Sequence, residues 1–308
     1  MNVKSRASAG AAALGLSVMA PFASADPAPC VYRELVGVAD DTTEDVLNGL
    51  ADSIDGGLLI ASYDATGSTT IKTRPDGCEI ARPNGSWAGI AALNNAIDND
   101  TRCLDFVSSS RGPQTAGTDL NWISFASHRV TVAACEDGPL ADVNVSTADL
   151  RAVYACTKTT LTTLTGADGQ EHPVTPLISQ SGSDTRGFFL GQIGNPALGD
   201  CVRETQDHNG EALTLGSDLA PYPVAKWVSQ VKGLIDDVHG DTVLGAIDGG
   251  AYSRNVYNAV STARLTDPVM AATFVRQNSK VCQATATITE YAFTTIPGCG
   301  STVLTGEN

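Results

Sequence analysis

The stretch Leu58-Leu59-Ile60-Ala61-Ser62-Tyr63 is a short apolar run that predicts a buried β-strand. Further along the chain, Ile90, Leu93 and Ile97 fall on one face of a predicted helix. This alternation of predicted strands and helices continues along the chain. Strands are predicted at 122–125, 130–133 and 243–247, and helices are predicted to begin at residues 147, 224 and 268. Alternating strands and helices are typical of an α/β fold with mostly parallel sheets.

The N-terminus has the pattern of a secretory signal peptide. Lys4 and Arg6 precede an apolar run of small residues that ends in Ala23-Ser24-Ala25. A basic start, a short apolar stretch and a small-x-small site together predict cleavage before Asp26. The run is too short to span a bilayer, and Cys30 lacks the sequence context of a lipidated cysteine. We therefore expect residues 1–25 to be removed and the product to be secreted.

Eight cysteines agree with an extracellular location. They occur at positions 30, 78, 103, 135, 156, 201, 282 and 299, and no two have the Cys-x-x-Cys spacing of a zinc site. An even number in an exported chain indicates disulfides. Eight cysteines allow 105 pairings, so the connectivity stays open. Sequence proximity favours Cys78–Cys103, Cys156–Cys201 and Cys282–Cys299, which leaves Cys30–Cys135.

Charge and length limit the class of protein. The formal net charge is −15, and removal of Lys4 and Arg6 brings it to about −17. Such an acidic chain argues against nucleic acid or an anionic membrane as partner. About 280 residues remain after cleavage, with 42% hydrophobic content, enough for a large core and two lobes. If the ligand is an anion, a local group of arginines and backbone N–H groups must bind it.

Three predicted helix starts carry glycine or hydroxyl residues, at 41–46, 82–86 and 180–186. In the first, Thr42 and Asp45 form a capping-box pattern. Free N–H groups and the helix dipole make such starts suitable for anions, although most capped helix starts bind no ligand. A fourth segment, from Cys103 to Arg111, ends an apolar stretch with a carboxylate, three serines and an arginine. A solvated surface loop is the alternative interpretation of that segment.

Four motifs occur in order: Thr42-Thr43, Arg82-Pro83-Asn84-Gly85-Ser86, Asp105-Phe106 with Ser109-Ser110-Arg111, and Ser181-Gly182-Ser183-x-Thr185-Arg186. With these motifs the chain resembles the substrate-binding proteins of phosphate ABC transporters, in particular secreted phosphate-binding-like proteins of actinobacteria. The resemblance runs over most of the chain after residue 25. It implies a two-lobed, type II periplasmic-binding-protein-like α/β fold with mixed, mostly parallel sheets and hinge crossovers. The lobes would close on a dehydrated oxyanion.

The resemblance also implies roles for individual residues. Donors to the anion would come from the first lobe and from the second lobe's Gly-Ser turn: Thr42, Thr43, Gly85, Ser86, Ser181, Gly182, Ser183 and Thr185. Asp105 would accept the proton of a protonated oxyanion and so select phosphate over sulfate, which cannot donate. No cofactor or metal is implied. The partners would be a small phosphate-like anion and an ABC-transporter permease, and the chain would be a monomer.

Three positions depart from that family pattern. Ser179-Gln180 stand where the family has its phosphate-clamping arginine, so Arg82, Arg111 or Arg186 would have to replace it. Asp184 replaces the usual glycine of the turn, and Trp87 replaces the glycine after Ser86. These changes leave the ligand open: phosphate, another anion, or none.

Two other functional classes compete with solute binding. A hydrolase lacks support, because the chain has neither a Gly-x-Ser-x-Gly elbow nor a Ser-x-x-Lys site around residues 108–111. A secreted interaction protein that keeps the fold without transport is the stronger alternative, since no lipid anchor is visible. We expect lobe I to comprise residues 26–126 plus 241–308 and lobe II residues 127–240.

Overall fold

The computed structural model of the chain describes residues 26–162 and 169–307. The predicted signal peptide lies outside the described residues. The strands of the described ranges are β1 Leu35–Ala39, β2 Ile60–Tyr63, β3 Thr70–Lys72, β4 Glu79–Ala81, β5 Phe106–Ser109, β6 Leu120–Cys135, β7 Asn144–Val145, β8 Thr160–Thr162, β9 Glu171–Pro173, β10 Thr175–Ser179, β11 Arg203–Thr205, β12 Asp218–Pro223, β13 Thr242–Ile247, β14 Tyr252–Ser261 and β15 Thr294–Thr295. The α-helices are α1 Glu44–Ser53, α2 Ser86–Asp98, α3 Thr147–Tyr154, α4 Asp184–Gln192, α5 Val224–Val231, α6 Pro268–Phe274, α7 Lys280–Gln283 and α8 Thr285–Glu290.

One large mixed sheet organises these elements, in the order β11-β10-β12-β6-β14-β5-β1-β2. At one end, β1 pairs in parallel with β2 and β5. At the other end, β10 pairs in parallel with β11 and β12. The long strands β6 and β14 lie between these groups and pair antiparallel with each other. The two strands predicted at 122–125 and 130–133 are thus parts of the single strand β6, which crosses between the two parallel groups.

Hydrophobic cores form on both sides of this crossover. Around β1 and β5, Phe106 packs against Phe274 of α6 with ring centroids 4.8 Å apart, and Ile90 of α2 is fully buried on the other face. Around β10 and β12, Tyr154 packs edge-on against Phe189. Ile247 of β13 belongs to this second core, and we propose that the chain returns to the first core through β14 rather than near residue 241.

Local sequence signals place several helices as predicted. Asp267 caps α6 by accepting hydrogen bonds from the N–H groups of Val269 and Met270, and Pro268 occupies the first helical position. The predicted capping box at Thr42 and Asp45 is wrong. There, the helix begins one residue later, because the backbone oxygen of Asp40 accepts from the N–H groups that open α1. No helix within the described ranges combines the length and apolar character needed to cross a membrane.

Three disulfides join cysteines that the sequence paired by proximity: Cys78–Cys103, Cys156–Cys201 and Cys282–Cys299. The fourth predicted pair, Cys30–Cys135, is wrong, since both cysteines are free. Cys30 is exposed near the start of the described chain. Cys135 instead ends β6, where its Sγ lies 3.2 Å from the backbone oxygen of Leu213. Pairing by elimination fails here because the two residues belong to different parts of the fold.

Candidate functional site

The buried carboxylate of Asp40 organises the carboxyl ends of β1 and β5. Its Oδ1 accepts hydrogen bonds from the backbone N–H of Thr43 at 2.9 Å and from the Thr43 hydroxyl at 2.8 Å. Its Oδ2 accepts from the Ser86 hydroxyl at 2.5 Å and from the Ser110 N–H at 2.7 Å. Because parallel strands end at the same edge, three chain segments meet at this one carboxylate.

Two glycines bring the start of α2 to this edge. Gly85 precedes the helix with φ of 87°, a conformation that glycine adopts without a steric penalty. Gly89 lies so close to β5 that a Cβ atom there would come within 2.8 Å of Val107. The N-terminus of α2 can therefore pack directly against the strand and hold Ser86 beside Asp40.

A second polar group lies at the carboxyl ends of β10 and β11. Ser183 caps α4, and its hydroxyl donates to Asp207 Oδ2 at 2.5 Å. The hydroxyl of Thr185, fully buried, lies 3.1 Å from His208 Nε2. Burial lowers the pKa of His208, an effect that the Asp207 charge partly offsets. This imidazole therefore favours its neutral form.

Ion pairs join the two polar groups. Arg111 Nη2 lies 2.6 Å from Asp184 Oδ1, so the arginine after β5 contacts the start of α4. Lys226 Nζ lies 3.0 Å from Glu44 Oε1 and 2.6 Å from Asp45 Oδ2. Segments from both cores thus meet here, and we call the region around Asp40, Arg111, Asp184, Asp207 and Lys226 the cleft.

Arg254, on strand β14, interacts electrostatically with carboxylates of this cleft. Its guanidinium carbon lies 4.6 Å from the centroid of the Phe188 ring, a cation–π contact. Burial lowers the pKa of Arg254, whereas the charges of Asp40, Asp184 and Asp41 raise it. The residue opposite it on β6 is His128, which is fully buried.

Several buried hydrogen-bonding atoms near the cleft have no partner among the described residues. They are Thr42 Oγ1, Ser110 Oγ, Asp184 Oδ2, Arg254 Nε and Nη2, and both ring nitrogens of His128. Most buried polar groups in proteins are hydrogen-bonded, and an unpaired one costs about 1–3 kcal/mol. These atoms are available to hydrogen-bond a molecule bound in the cleft.

The pKa values of two carboxyl groups in the cleft are raised. Burial raises the pKa of Asp184, and the Asp40 charge raises it further, while Arg111 lowers it. Burial also raises the pKa of Asp41 well above its usual range, again with help from Asp40. The cleft therefore holds more carboxyl groups than its cations neutralise.

The prediction that Asp105 faces the ligand needs correction. Asp105 precedes β5 and so lies at its amino end, about 16 Å from Ser110 at 3.3 Å per residue. Its Oδ2 accepts from the N–H of Val36 at 2.8 Å and pairs with Arg74 at 2.5 Å, and Oδ1 pairs with Arg264. The motif order alone could not decide at which strand end the side chain lies.

The other predicted residues divide into two sets. Thr42, Thr43, Gly85, Ser86 and Arg111 meet around Asp40 and Asp184, and Ser183 and Thr185 meet around Asp207 and His208.

Three predicted residues are engaged elsewhere. Arg186 binds the backbone oxygen of Ser179 and the exposed Glu204, both at 2.9 Å. Ser181 is exposed, and its N–H donates to the same Glu204 at 3.3 Å. Gly182, with φ of 91°, is also exposed and permits the turn. The predicted replacement of the missing clamp by Arg186 is therefore not supported, because its guanidinium is already paired outside the cleft.

Sequence reasoning did not identify Asp40, Arg254 or His128. Asp40 follows a buried strand and precedes the Thr42-Thr43 motif, a position that parallel sheets use for binding. Arg254 and His128 belong to none of the four motifs, so nothing in the sequence connected them with the site. Only the pairing of β6 with β14 brings these two residues under the cleft.

Three solved structures share the fold. The chain superposes on an ABC-type phosphate transport receptor from Vibrio cholerae with a TM-score of 0.54, at 12% identity over 85% of this chain and 100% of the other. A putative phosphate ABC transporter substrate-binding protein with bound phosphate from Clostridium perfringens gives 0.50, at 12% identity over 85% and 99%. A hydrogen-peroxide-bound mutant of Corynebacterium glutamicum OxyR gives 0.51, at 8% identity over 85% and 68%.

These similarities show a type II periplasmic-binding-protein-like fold, as the sequence predicted. No family model matches the sequence, and no curated protein matches it. The first two structures are described as transport receptors or substrate-binding proteins and not as enzymes. Similarity to structures of 12% sequence identity or less shows the fold and does not identify the ligand.

Proposed function

We propose that this chain is an extracellular solute-binding protein that captures a small oxyanion, with phosphate as the first candidate, in the cleft beside Asp40. The observation that carries the proposal is the set of buried donors without partners: the hydroxyls of Thr42 and Ser110 and two N–H groups of Arg254. An oxyanion accepts hydrogen bonds at every oxygen. It would therefore relieve the cost of leaving these donors unpaired.

Arg254 is the proposed anion clamp. A guanidinium offers two parallel N–H groups that match the oxygens of phosphate or a carboxylate. Phe188 contacts its guanidinium, and Nε and Nη2 are buried without partners. Arg254 thus supplies what the sequence lacks at Ser179-Gln180. Arg111, the residue first considered, contributes through its ion pair with Asp184.

The free acceptor in the cleft favours a protonated anion. Asp184 Oδ2 is buried without a donor, so a ligand that also carries an O–H group fits better than one that only accepts. Hydrogen phosphate satisfies this condition, whereas sulfate at neutral pH does not. The selectivity first assigned to Asp105 belongs, in this proposal, to Asp184.

Calorimetric titration of the mature chain with phosphate and with sulfate tests the proposal. We expect saturable 1:1 binding of phosphate that is lost in Arg254→Leu. The matched control is Arg129→Leu, which removes an exposed arginine from the neighbouring crossover strand. A thermal-shift series adds phosphorylated metabolites and molybdate, since binding at a hundredfold excess over Kd adds about 2.7 kcal/mol of stability. No binding of any of these anions would overturn the oxyanion proposal.

A secreted interaction protein is the second candidate. The ion pairs Arg111–Asp184 and Lys226 with Glu44 and Asp45 hold the cleft together through protein groups alone. A cleft that needs no ligand to close would suit a protein that keeps the fold without transport. This candidate is favoured if none of the anions binds in the titrations and the chain still unfolds cooperatively. A permease partner and a monomeric state belong to the transport proposal and require anion binding first.

A further inference from the structure

His128 lies on the crossover strand β6, directly opposite Arg254 on the antiparallel strand β14. Residues that are directly opposite in such a pair point to the same face of the sheet, with Cβ atoms about 4.5–5.5 Å apart. The imidazole is therefore a close neighbour of the guanidinium that we propose as the anion clamp.

Both hydrogen-bonding atoms of this imidazole are buried without a partner among the described residues. The side chain of His128 is fully buried, and neither Nδ1 nor Nε2 has a hydrogen bond. Buried polar side chains in proteins are nearly always hydrogen-bonded. The opposite residue, Arg254, likewise has Nε and Nη2 buried without a partner. Two neighbouring side chains from different strands therefore have unpaired N–H groups in one place.

Apolar contacts pack this pair of side chains without using their free nitrogens. The ring centroids of His128 and Phe293 are 5.6 Å apart, with the ring planes tilted by 40°. Phe293 belongs to the core around β1 and β5, whereas Arg254 contacts Phe188, which packs against the core around β10 and β12. His128 and Arg254 therefore lie between the two cores, where the chain crosses from one to the other.

The surroundings of His128 keep its imidazole neutral. Burial lowers the pKa of His128 well below its usual range, and the charges of Arg254, His208, Lys226 and Arg129 lower it in the same direction. A neutral imidazole still has one N–H donor, and its other nitrogen is an acceptor. It can therefore add a hydrogen bond to an anion without placing a second positive charge beside the guanidinium.

We propose that His128 binds the oxyanion directly and donates one ring N–H to the anion that Arg254 holds. This inference rests on the proposed function, to which it adds a second anion-binding residue from the crossover strands. Because the donor is neutral and every oxygen of an oxyanion accepts, His128 contributes to the affinity for phosphate and for sulfate alike. Selection between these two anions remains with the acceptor Asp184 Oδ2.

Calorimetric titration of His128→Leu with phosphate and with sulfate tests the donor role. A hydrogen bond to a charged group is worth about 10–100-fold in affinity, so both affinities are expected to fall by about that factor. His128→Gln keeps an N–H donor and is expected to bind phosphate within about fivefold of the wild type.

Two controls separate anion binding from a structural role. In the absence of anion, His128→Leu should be at least as stable as the wild type, because it removes two buried atoms without partners. The matched control is His172→Leu, which alters a half-buried histidine of β9 in the separate β8–β9 sheet. This variant should leave both anion affinities unchanged.

Nitrogen NMR of the histidine rings provides a measurement on the wild-type chain. In a neutral imidazole, the hydrogen bonds of the ring determine which nitrogen carries the proton. We expect saturation with phosphate to shift the ring nitrogen resonances of His128 and to select a single neutral tautomer, while those of His172 stay unchanged. The His128→Leu variant identifies the signals.

Four results would each remove His128 from the donors while phosphate still binds to the wild-type chain. They are an unchanged phosphate affinity in His128→Leu, a loss for phosphate with none for sulfate, an equal loss in the His172→Leu control, and ring resonances of His128 that do not change at saturation. Absence of any anion binding to the wild-type chain would instead remove the proposed function, and the role of His128 with it.

Discussion

Buried carboxylates with different surroundings lie beside the two ends of β5: Asp105, which precedes the strand, and Asp40, which follows β1 and accepts from the N–H of Ser110. At the amino end, Asp105 pairs with Arg74 and Arg264 and accepts from the backbone of Val36, so both of its oxygens are bonded within the protein, and Arg264 Nε is the one buried atom of these residues without a partner. At the carboxyl end, Asp40 is equally well bonded, but unpaired atoms of Ser110 and Arg254 lie around it.

The difference separates a structural carboxylate from one that organises a binding site. A buried polar group whose hydrogen bonds are complete within the protein needs nothing more, and its role is to stabilise the fold. A cluster of buried groups with incomplete hydrogen bonds is stable only if other interactions offset the cost or if a ligand completes it. The two carboxylates do not differ in their own hydrogen bonds. They differ in whether the polar groups around them have hydrogen-bond partners.

The largest effect is expected when the structural end is broken. Asp105→Ala leaves two partly buried arginines and one backbone N–H without their acceptor. We expect the free energy of unfolding to fall by about 3–5 kcal/mol, with anion affinity unchanged within twofold. Urea unfolding measures the stability, and calorimetry of the same preparations measures the anion affinity.

The exposed Asp98 at the end of α2 is the control for Asp105. Asp98→Ala should change stability by no more than about 0.5 kcal/mol. If Asp105→Ala instead weakened anion binding and left stability unchanged, the anion site would lie at the amino end of β5 and not at its carboxyl end.

The opposite pattern is expected at the binding end. Arg254→Leu should lower phosphate affinity by at least about a hundredfold, equivalent to about 2.7 kcal/mol. In the absence of anion it should leave stability unchanged or higher, because the guanidinium has two buried N–H groups without acceptors. Urea unfolding with and without phosphate separates these contributions. A large loss of stability in the anion-free variant would show that Arg254 is structural, as Asp105 is.

The sequence predicted the layers of the fold better than the site. Periodicity placed α5 at Val224–Val231, and local capping chemistry placed α6, because such signals act within a few residues. The site depends on contacts between distant segments. Arg254 approaches Asp40 only because β14 pairs with β6 and β5, and no local pattern specifies that pairing.

The error at Asp105 has the same physical origin. A short motif shows that a carboxylate and several serines lie near one strand, but not which end of the strand each occupies. Asp105 begins that strand and Ser110 follows it, so the same motif contributes to a structural cluster and to the cleft. The departures at Asp184 and Ser179-Gln180 were visible in the sequence, whereas their consequence, the pairing of Asp184 with Arg111, required the fold.

A pH-dependent effect of intermediate size is expected from Asp64, which follows β2 at the same edge as Asp40. Burial and, to a smaller extent, the Glu44 charge together raise its pKa to about 7, although Asn48 donates to it at 2.8 Å and lowers it. Since this folded-state pKa exceeds the unfolded value of about 3.9, protonated Asp64 favours the fold. Its contribution is complete below about pH 4 and is lost as the pH rises through about 7.

Asp64→Asn keeps the acceptor for Asn48 and removes the charge. We expect the variant to match the wild type at pH 4 and to be more stable by about 1–2 kcal/mol at pH 8. Urea unfolding at both pH values measures the difference. An equal change at pH 4 and pH 8 would show that the carboxyl group does not titrate in this range.

The smallest effect is expected from single hydroxyl groups at the end of β5, where adjacent serines allow a direct comparison. Ser110 Oγ is buried without a partner, whereas Ser109 Oγ donates to the backbone oxygen of Arg111 at 2.9 Å. Ser110→Ala should weaken phosphate binding about five- to tenfold with no loss of stability, because its hydroxyl has no partner in the protein and, in our proposal, bonds to the anion. Ser109→Ala should instead lower stability by about 1 kcal/mol and leave the direct anion contacts in place. Calorimetry and urea unfolding of both variants decide the matter: if both lose stability alike, Ser110 is a structural residue and the anion contacts must come from the remaining donors.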